Sequence, residues 1–203
     1  MNNFDPLVPE RYQRWMDRLN SEDPSETILD MMNVNQIIRT STGAWQVDIR
    51  TLPNGSKLRI VGCQEIFKLP SGVLEVVMNE PEKHYQDIAI ISKEDLECSS
   101  GSTGTVEISS AQNGYLKANI SVEKAAYLFW AESWYPGWLV RIDGGKTSNS
   151  LRANYMFQAA AVTPGNHQVE FIYRPASFMW GGAATIFSLL FGGLLFVITK
   201  KKN

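Results

Sequence analysis

The sequence predicts a mainly β protein: an extracytoplasmic antiparallel β-sandwich or jelly roll with short N-terminal helices and one C-terminal transmembrane α-helix. Three observations carry that expectation. Between residues 41 and 175, short alternating runs are separated by turn residues, with no helical periodicity between them. Residues 178–198 form the one long uncharged apolar run. The remainder has the composition of a globular domain: 203 residues, 44% hydrophobic, 20% charged, with a mean hydropathy of −0.18. Such a chain can bury a core and is too apolar for disorder.

Four segments follow in order: a helical lead-in over 1–40, the β region over 41–175, a membrane helix over 176–199 and a basic tail over 200–203. In the lead-in, Tyr12, Trp15, Met16 and Leu19 recur at helical spacing. A second helix starts near Ser25, with Glu26 in its first turn and Ile28, Leu29, Met31 and Met32 following; residues 34–39 read as the first strand. Further strands are expected over 45–52, 58–61, 64–69, 74–79, 86–91, 105–110, 115–122, 127–132, 138–142, 155–162 and 167–173. Turns are expected at Pro53-Asn54-Gly55, Pro70-Ser71-Gly72, Asn113-Gly114, Asp143-Gly144-Gly145 and Pro164-Gly165. The last strand stops at Arg174-Pro175, since proline cannot continue a ladder, and the apolar run begins almost at once.

That run is 21 residues long, roughly 31 Å as a helix, which matches the hydrocarbon core of a bilayer. Thr185 and Ser188 can bond back to carbonyls of their own helix. Trp180 suits the lipid–water interface at one end, and Lys200, Lys201 and Lys202 close the other. Basic residues beside a span stay in the cytoplasm, so the tail is expected inside and the β region outside the cell membrane. The tail takes three of the 19 basic residues, which leaves the outer part mildly acidic. Residues 1–6 carry neither a basic nor an apolar signal region, so earlier membrane segments are expected to belong to a larger parent protein.

Nineteen basic against 21 acidic residues, without a basic cluster before the tail, argue against a nucleic-acid partner. His84 lies in a charged stretch read as a solvated loop, and His167 opens the last strand. Neither has a second ligand at metal spacing, so no metal or other cofactor is expected. Cys63 and Cys98 are either one disulfide or two half-buried thiols. No nucleophile elbow, phosphate-binding loop, dinucleotide fingerprint or zinc-protease motif occurs, and Asp143 reads as a hairpin turn, so no catalytic residue is expected. Tyr127, Phe129, Trp130, Trp134, Tyr135 and Trp138 crowd one segment. They are either core or a sugar-stacking platform, with Trp134, Tyr135 and Trp138 as the glycan contacts in the second case.

The segment Ser133-Trp134-Tyr135-Pro136-Gly137-Trp138 through Ile142-Asp143-Gly144 is followed by Ala153-Asn154-Tyr155. Pro164-Gly165-Asn166-His167 and Tyr173-Arg174-Pro175 come next, before the apolar run. This succession resembles the C-terminal end of the YfhO-type bacterial membrane proteins. The Asn3-Phe4-Asp5-Pro6-Leu7, Arg11-Tyr12 and Asn33-Val34-Asn35-Gln36 segments resemble that family's outer region more weakly, and the middle matches only in strand pattern. The resemblance implies a polytopic parent similar to GT-C-fold glycosyltransferases, which move a sugar from a polyprenyl-phosphate carrier onto an envelope polymer. The catalytic carboxylate of that class lies near its first spans. This chain would then be a non-catalytic outer module and last span, with the bilayer, the polytopic portion and a glycan or polyprenyl-linked sugar as partners. The alternative is a free-standing, membrane-anchored surface module that binds glycan or a protein.

Overall fold

The computed structural model describes residues 10–21, 25–40, 47–52 and 56–200. Two helices lead, α1 (Glu10–Ser21) and α2 (Glu26–Met31), followed by β1 (Gln36–Thr40) and β2 (Val47–Thr51), which pair as an antiparallel hairpin. Ser25 caps α2, its hydroxyl accepting from the Ile28 N–H at 3.3 Å. The turn expected at residues 53–55 lies outside the described residues.

β3 (Leu58–Phe67), β4 (Asp87–Ile91), β7 (Ala126–Trp130), β10 (Leu151–Ala153) and β11 (Phe157–Val162) close into a five-strand barrel in the order β10-β11-β7-β3-β4. β5 (Gly104–Gln112), β6 (Tyr115–Val122), β8 (Trp138–Ile142), β9 (Ser148–Asn149) and β12 (Gly165–Tyr173) form a separate sheet in the order β5-β6-β12-β8-β9. The fold is therefore mainly β with a few helices, as the alternating runs predict, but it contains a closed barrel that the sequence does not suggest.

The cause is one segment. Residues 74–79, expected as a strand, are a helix, α3 (Val73–Asn79), and α4 (Pro81–Gln86) follows directly. The Val-rich composition imitates a strand, whereas Val73 and Val77 are buried four residues apart, the helical period. A helical crossover lets β3 and β4 run parallel, which an antiparallel succession of hairpins cannot do. His84 is corrected with it: expected in a solvated loop, it sits on α4 with no exposed surface.

Two cores result, and β7 is buried on both faces. Tyr127 and Phe129 join Trp15, Leu19, Met31, Val73, Val77 and Phe157 in the first, so α1 and α2 belong to the same core as the barrel. Ala126, Leu128 and Trp130 join Ala118, Ile120, Val140, Val169 and Phe171 in the second, between barrel strands and the five-stranded sheet. This is the period-2 alternation of a strand used twice. Trp130 meets Trp138 and Phe171 edge-on or tilted, both at 5.1 Å between ring centroids.

The β8–β9 turn has Asp143 and Gly144 at φ 50° and 69°, with the Gly145 N–H donating to the Ile142 carbonyl at 2.9 Å, a tight mirror-image turn as its Asp-Gly sequence predicts. Finally α5 (Ala176–Lys200) leaves β12 after two residues. Gly137 holds that exit: its φ is 108°, and a Cβ there would lie 2.8 Å from the Pro175 Cα. The Arg174 N–H donates to the Gly137 carbonyl at 2.7 Å.

Candidate functional site

α1 carries two faces. Trp15 and Leu19 go into the core, while Glu10, Arg14 and Asp17 stay exposed, the usual division of an amphipathic helix. Its polar side forms one wall of a cleft of about 910 Å³. The other walls are the corner after β3, with Leu69, Pro70 and Leu74, and the β10–β11 turn, with Arg152 and Tyr155.

Charge in the cleft is unevenly paired. Arg14 meets Glu10 at 2.5 Å, Arg18 meets Glu75 at 3.8 Å, and Asp17 accepts from the Gln13 amide at 2.8 Å. Arg11 and Arg152 meet no carboxylate among the described residues. The Arg11 guanidinium lies 5.1 Å from the centroid of the Trp134 ring and 5.3 Å from that of Tyr135. Its Nη2 is buried without a hydrogen-bond partner. The Arg152 guanidinium lies 4.8 Å from Tyr155 and 5.9 Å from the same Trp134 ring, and its Nε donates to the Tyr155 carbonyl. Ring faces attract both cations but do not neutralise them. Burial lowers Arg11 from its ordinary value. Burial first, and then the charge of Arg11, push Arg152 down to about 10.

The turn that presents Arg152 is strained. Asn154 and Tyr155 stand at φ 42° and 71°, and a bulky residue there costs roughly 1–2 kcal/mol. Asn154 holds the shape. It has no exposed surface, its backbone N–H donates to the Ala89 carbonyl at 2.7 Å, and its Oδ1 accepts from the Ala89 N–H at 2.8 Å. Its Nδ2 donates to the His84 carbonyl at 2.7 Å. Sequence reasoning singles out Ala153-Asn154-Tyr155 as a motif but not Arg11 or Arg152 as a site. The two arginines are 141 positions apart, and no local pattern links them.

The aromatic candidates separate. Trp134 is half-buried, its indole N–H donating to the Ser150 carbonyl at 3.0 Å and its ring attended by the two guanidiniums. Tyr135 is exposed beside Arg11. Trp138 packs between Trp130 and Tyr173 against the second core. Cys63 and Cys98 form a disulfide, with Cα atoms 5.0 Å apart. It fastens an irregular strap to the barrel, helped by the Cys63 N–H donating to the Ser99 carbonyl at 2.8 Å and the Gly101 N–H donating to Asp87 Oδ1 at 2.7 Å. Asp143 accepts from the Gln168 N–H at 2.8 Å and lies 2.7 Å from the His167 ring, so it serves the turn. Among the described residues no His, Cys, Asp and Glu group could hold a metal ion.

α5 is an apolar helix of 25 residues, long enough to cross a membrane, and its 176–193 window is not buried by the rest of the chain. Trp180 near its start is 76% exposed. The Thr185 and Ser188 hydroxyls donate to the Gly181 and Ala184 carbonyls at 2.9 and 2.8 Å, so neither polar group needs an outside partner. Lys200 ends the helix, and Lys201 and Lys202 lie outside the described residues. No family model, curated protein or solved structure matches the chain.

Proposed function

We propose that the chain is the outer, non-catalytic module and last span of a YfhO-like integral membrane protein, part of a glycosyltransferase that takes sugar from a polyprenyl-phosphate carrier for cell-envelope polymers. The family and activity in this reading rest on the sequence resemblance, and the structural observation that carries its membrane placement is α5. A water-soluble protein does not leave Phe178, Met179, Trp180, Phe187, Leu189 and Leu190 all more than two-thirds exposed on one continuous helix. Lipid is the solvent in which that surface is at rest.

Two further features support the placement. A disulfide persists on the oxidising side of a membrane, which favours a barrel that lies outside. The lysines that follow the span then lie in the cytoplasm. The short Arg174-Pro175 link and the Gly137–Pro175 contact hold the β domain close to the start of α5, and with α5 in lipid it would sit on the bilayer and cover the mouth of a membrane-embedded active site. The cleft offers cations and ring faces, which bind and orient, and its carboxylates are engaged with Arg14, Arg18 and Gln13.

The test is protease added to intact cells that express the full chain. We expect the β domain to be digested, leaving a fragment close to α5 in size. A β domain that survives until the cells are lysed would overturn the orientation and with it the proposed role.

A further inference from the structure

We propose that the cleft between α1 and the β10–β11 turn binds a phosphate group, gripped by the guanidiniums of Arg11 and Arg152. Every carboxylate lining the cleft is already engaged: Glu10 with Arg14, Glu75 with Arg18, Asp17 with Gln13. Arg11 and Arg152 are left around one indole ring with no acid between them among the described residues. Two like charges drawn into half-buried surroundings oppose one another, and the Arg11 Nη2 is a buried donor without an acceptor among the described residues. An internal ion pair at either arginine would remove that cost. An anion with several acceptor oxygens does the same from outside. Phosphate answers two planar forks better than a carboxylate does, because it presents oxygens in more than one plane. The strained Tyr155 backbone is consistent with a turn held for its side chains, since its carbonyl fixes the Arg152 Nε and leaves the outer nitrogens of that guanidinium for a ligand.

The phosphate could be borne by a soluble sugar phosphate or by a lipid, and the fold bears on the second source. From Trp134 the chain reaches Gly137 in three residues, and Gly137 abuts Pro175, immediately before α5. The Trp134 ring beside both guanidiniums is thus within about 11 Å of chain from the base of that helix. This lipid arm alone rests on α5 spanning a membrane; the anion site itself does not.

Both sources can be tested on the full chain. In detergent it is titrated with glucose 1-phosphate by calorimetry. In nanodiscs of phosphatidylcholine, with and without phosphatidic acid, its melting temperature and tryptophan emission are followed. We expect a saturable response in at least one arm, weakened tenfold or more by Arg11→Gln and by Arg152→Gln, and changed less than twofold by Lys146→Gln on the far hairpin. Response to the soluble probe assigns a soluble ligand, and response only to phosphatidic acid assigns a lipid phosphate. No saturation in either arm, or glutamine variants that bind like the parent, would overturn the site. Arg11→Lys and Arg152→Lys guard against misfolding: they keep the charge and lose the fork, so binding should fall several-fold at an unchanged melting temperature. Lysine variants that bind like the parent would likewise overturn it. A merely structural Arg11 gives the opposite pattern, a lowered melting temperature in Arg11→Gln with intact binding.

Discussion

Replacing Asn154 with alanine should cost about 3–7 kcal/mol, and the figure follows from what the side chain touches. Its Oδ1 is the acceptor for the Ala89 N–H and its Nδ2 is the donor to the His84 carbonyl, at 2.8 and 2.7 Å, with no water access to the residue. Truncation leaves both backbone groups buried and unpaired, at about 1–3 kcal/mol each. Alanine must also adopt φ 42°, a left-handed conformation that costs it roughly 1 kcal/mol more than asparagine. For a chain of this length that is a drop of about 6–28 °C in melting temperature, read by near-ultraviolet circular dichroism on the full chain in detergent. Asn154→Gly separates the contributions, because glycine accepts the backbone angle but restores neither hydrogen bond. It should recover only about 1 kcal/mol of the loss. A fall of less than about 3 °C in the alanine variant, or full recovery in the glycine variant, would show that the two hydrogen bonds do not hold the turn.

Reduction of Cys63–Cys98, or Cys98→Ser, opens a covalent loop of 35 residues and should destabilise the chain by up to about 4 kcal/mol, with the strap at Ser99–Gly101 loosened first. Hydrogen exchange at Gly101 as fast after oxidation as after reduction would contradict this. The two histidines give opposite pH dependences. Burial, and then the charge of Lys83, hold His84 below its usual value. Its contribution to stability is therefore present above the unfolded value of about 6.5 and is lost as pH falls through the folded one. His167 is raised, chiefly by its hydrogen bond to Asp143, so its contribution is full below about 6.5 and is lost as pH rises through the raised value. Melting temperature followed from pH 8 to 5 should thus fall less steeply in His84→Leu than in the parent. It should fall more steeply in Asp143→Asn, and parallel curves for all three would contradict both assignments.

Much of the structure is legible because its cause is local. The Asp143-Gly144 and Asn113-Gly114 turns, the Ser25 cap and the end of the last strand at Arg174-Pro175 each depend on a few consecutive residues. The 73–86 segment defeats local reading because valines at i and i+4 fit either a helix or a strand, and only packing of Val73 and Val77 beside Trp15 and Phe157 selects the helix. From that one choice come the parallel β3–β4 pair and the closure of the barrel.

Sequence by itself determined the apolar C-terminal helix and the β-rich domain before it, since hydropathy and turn chemistry act over neighbouring residues. It also supplied the resemblance on which the glycosyltransferase proposal stands. Tertiary structure alone decided which cysteine and histidine environments exist, and which arginines meet no carboxylate among the described residues. Arg11 and Arg152 become a pair only when α1 packs onto the barrel beside a turn far along the chain. Whether a cation is neutralised depends on what lies within a few ångströms of it, and that distance is set by the fold.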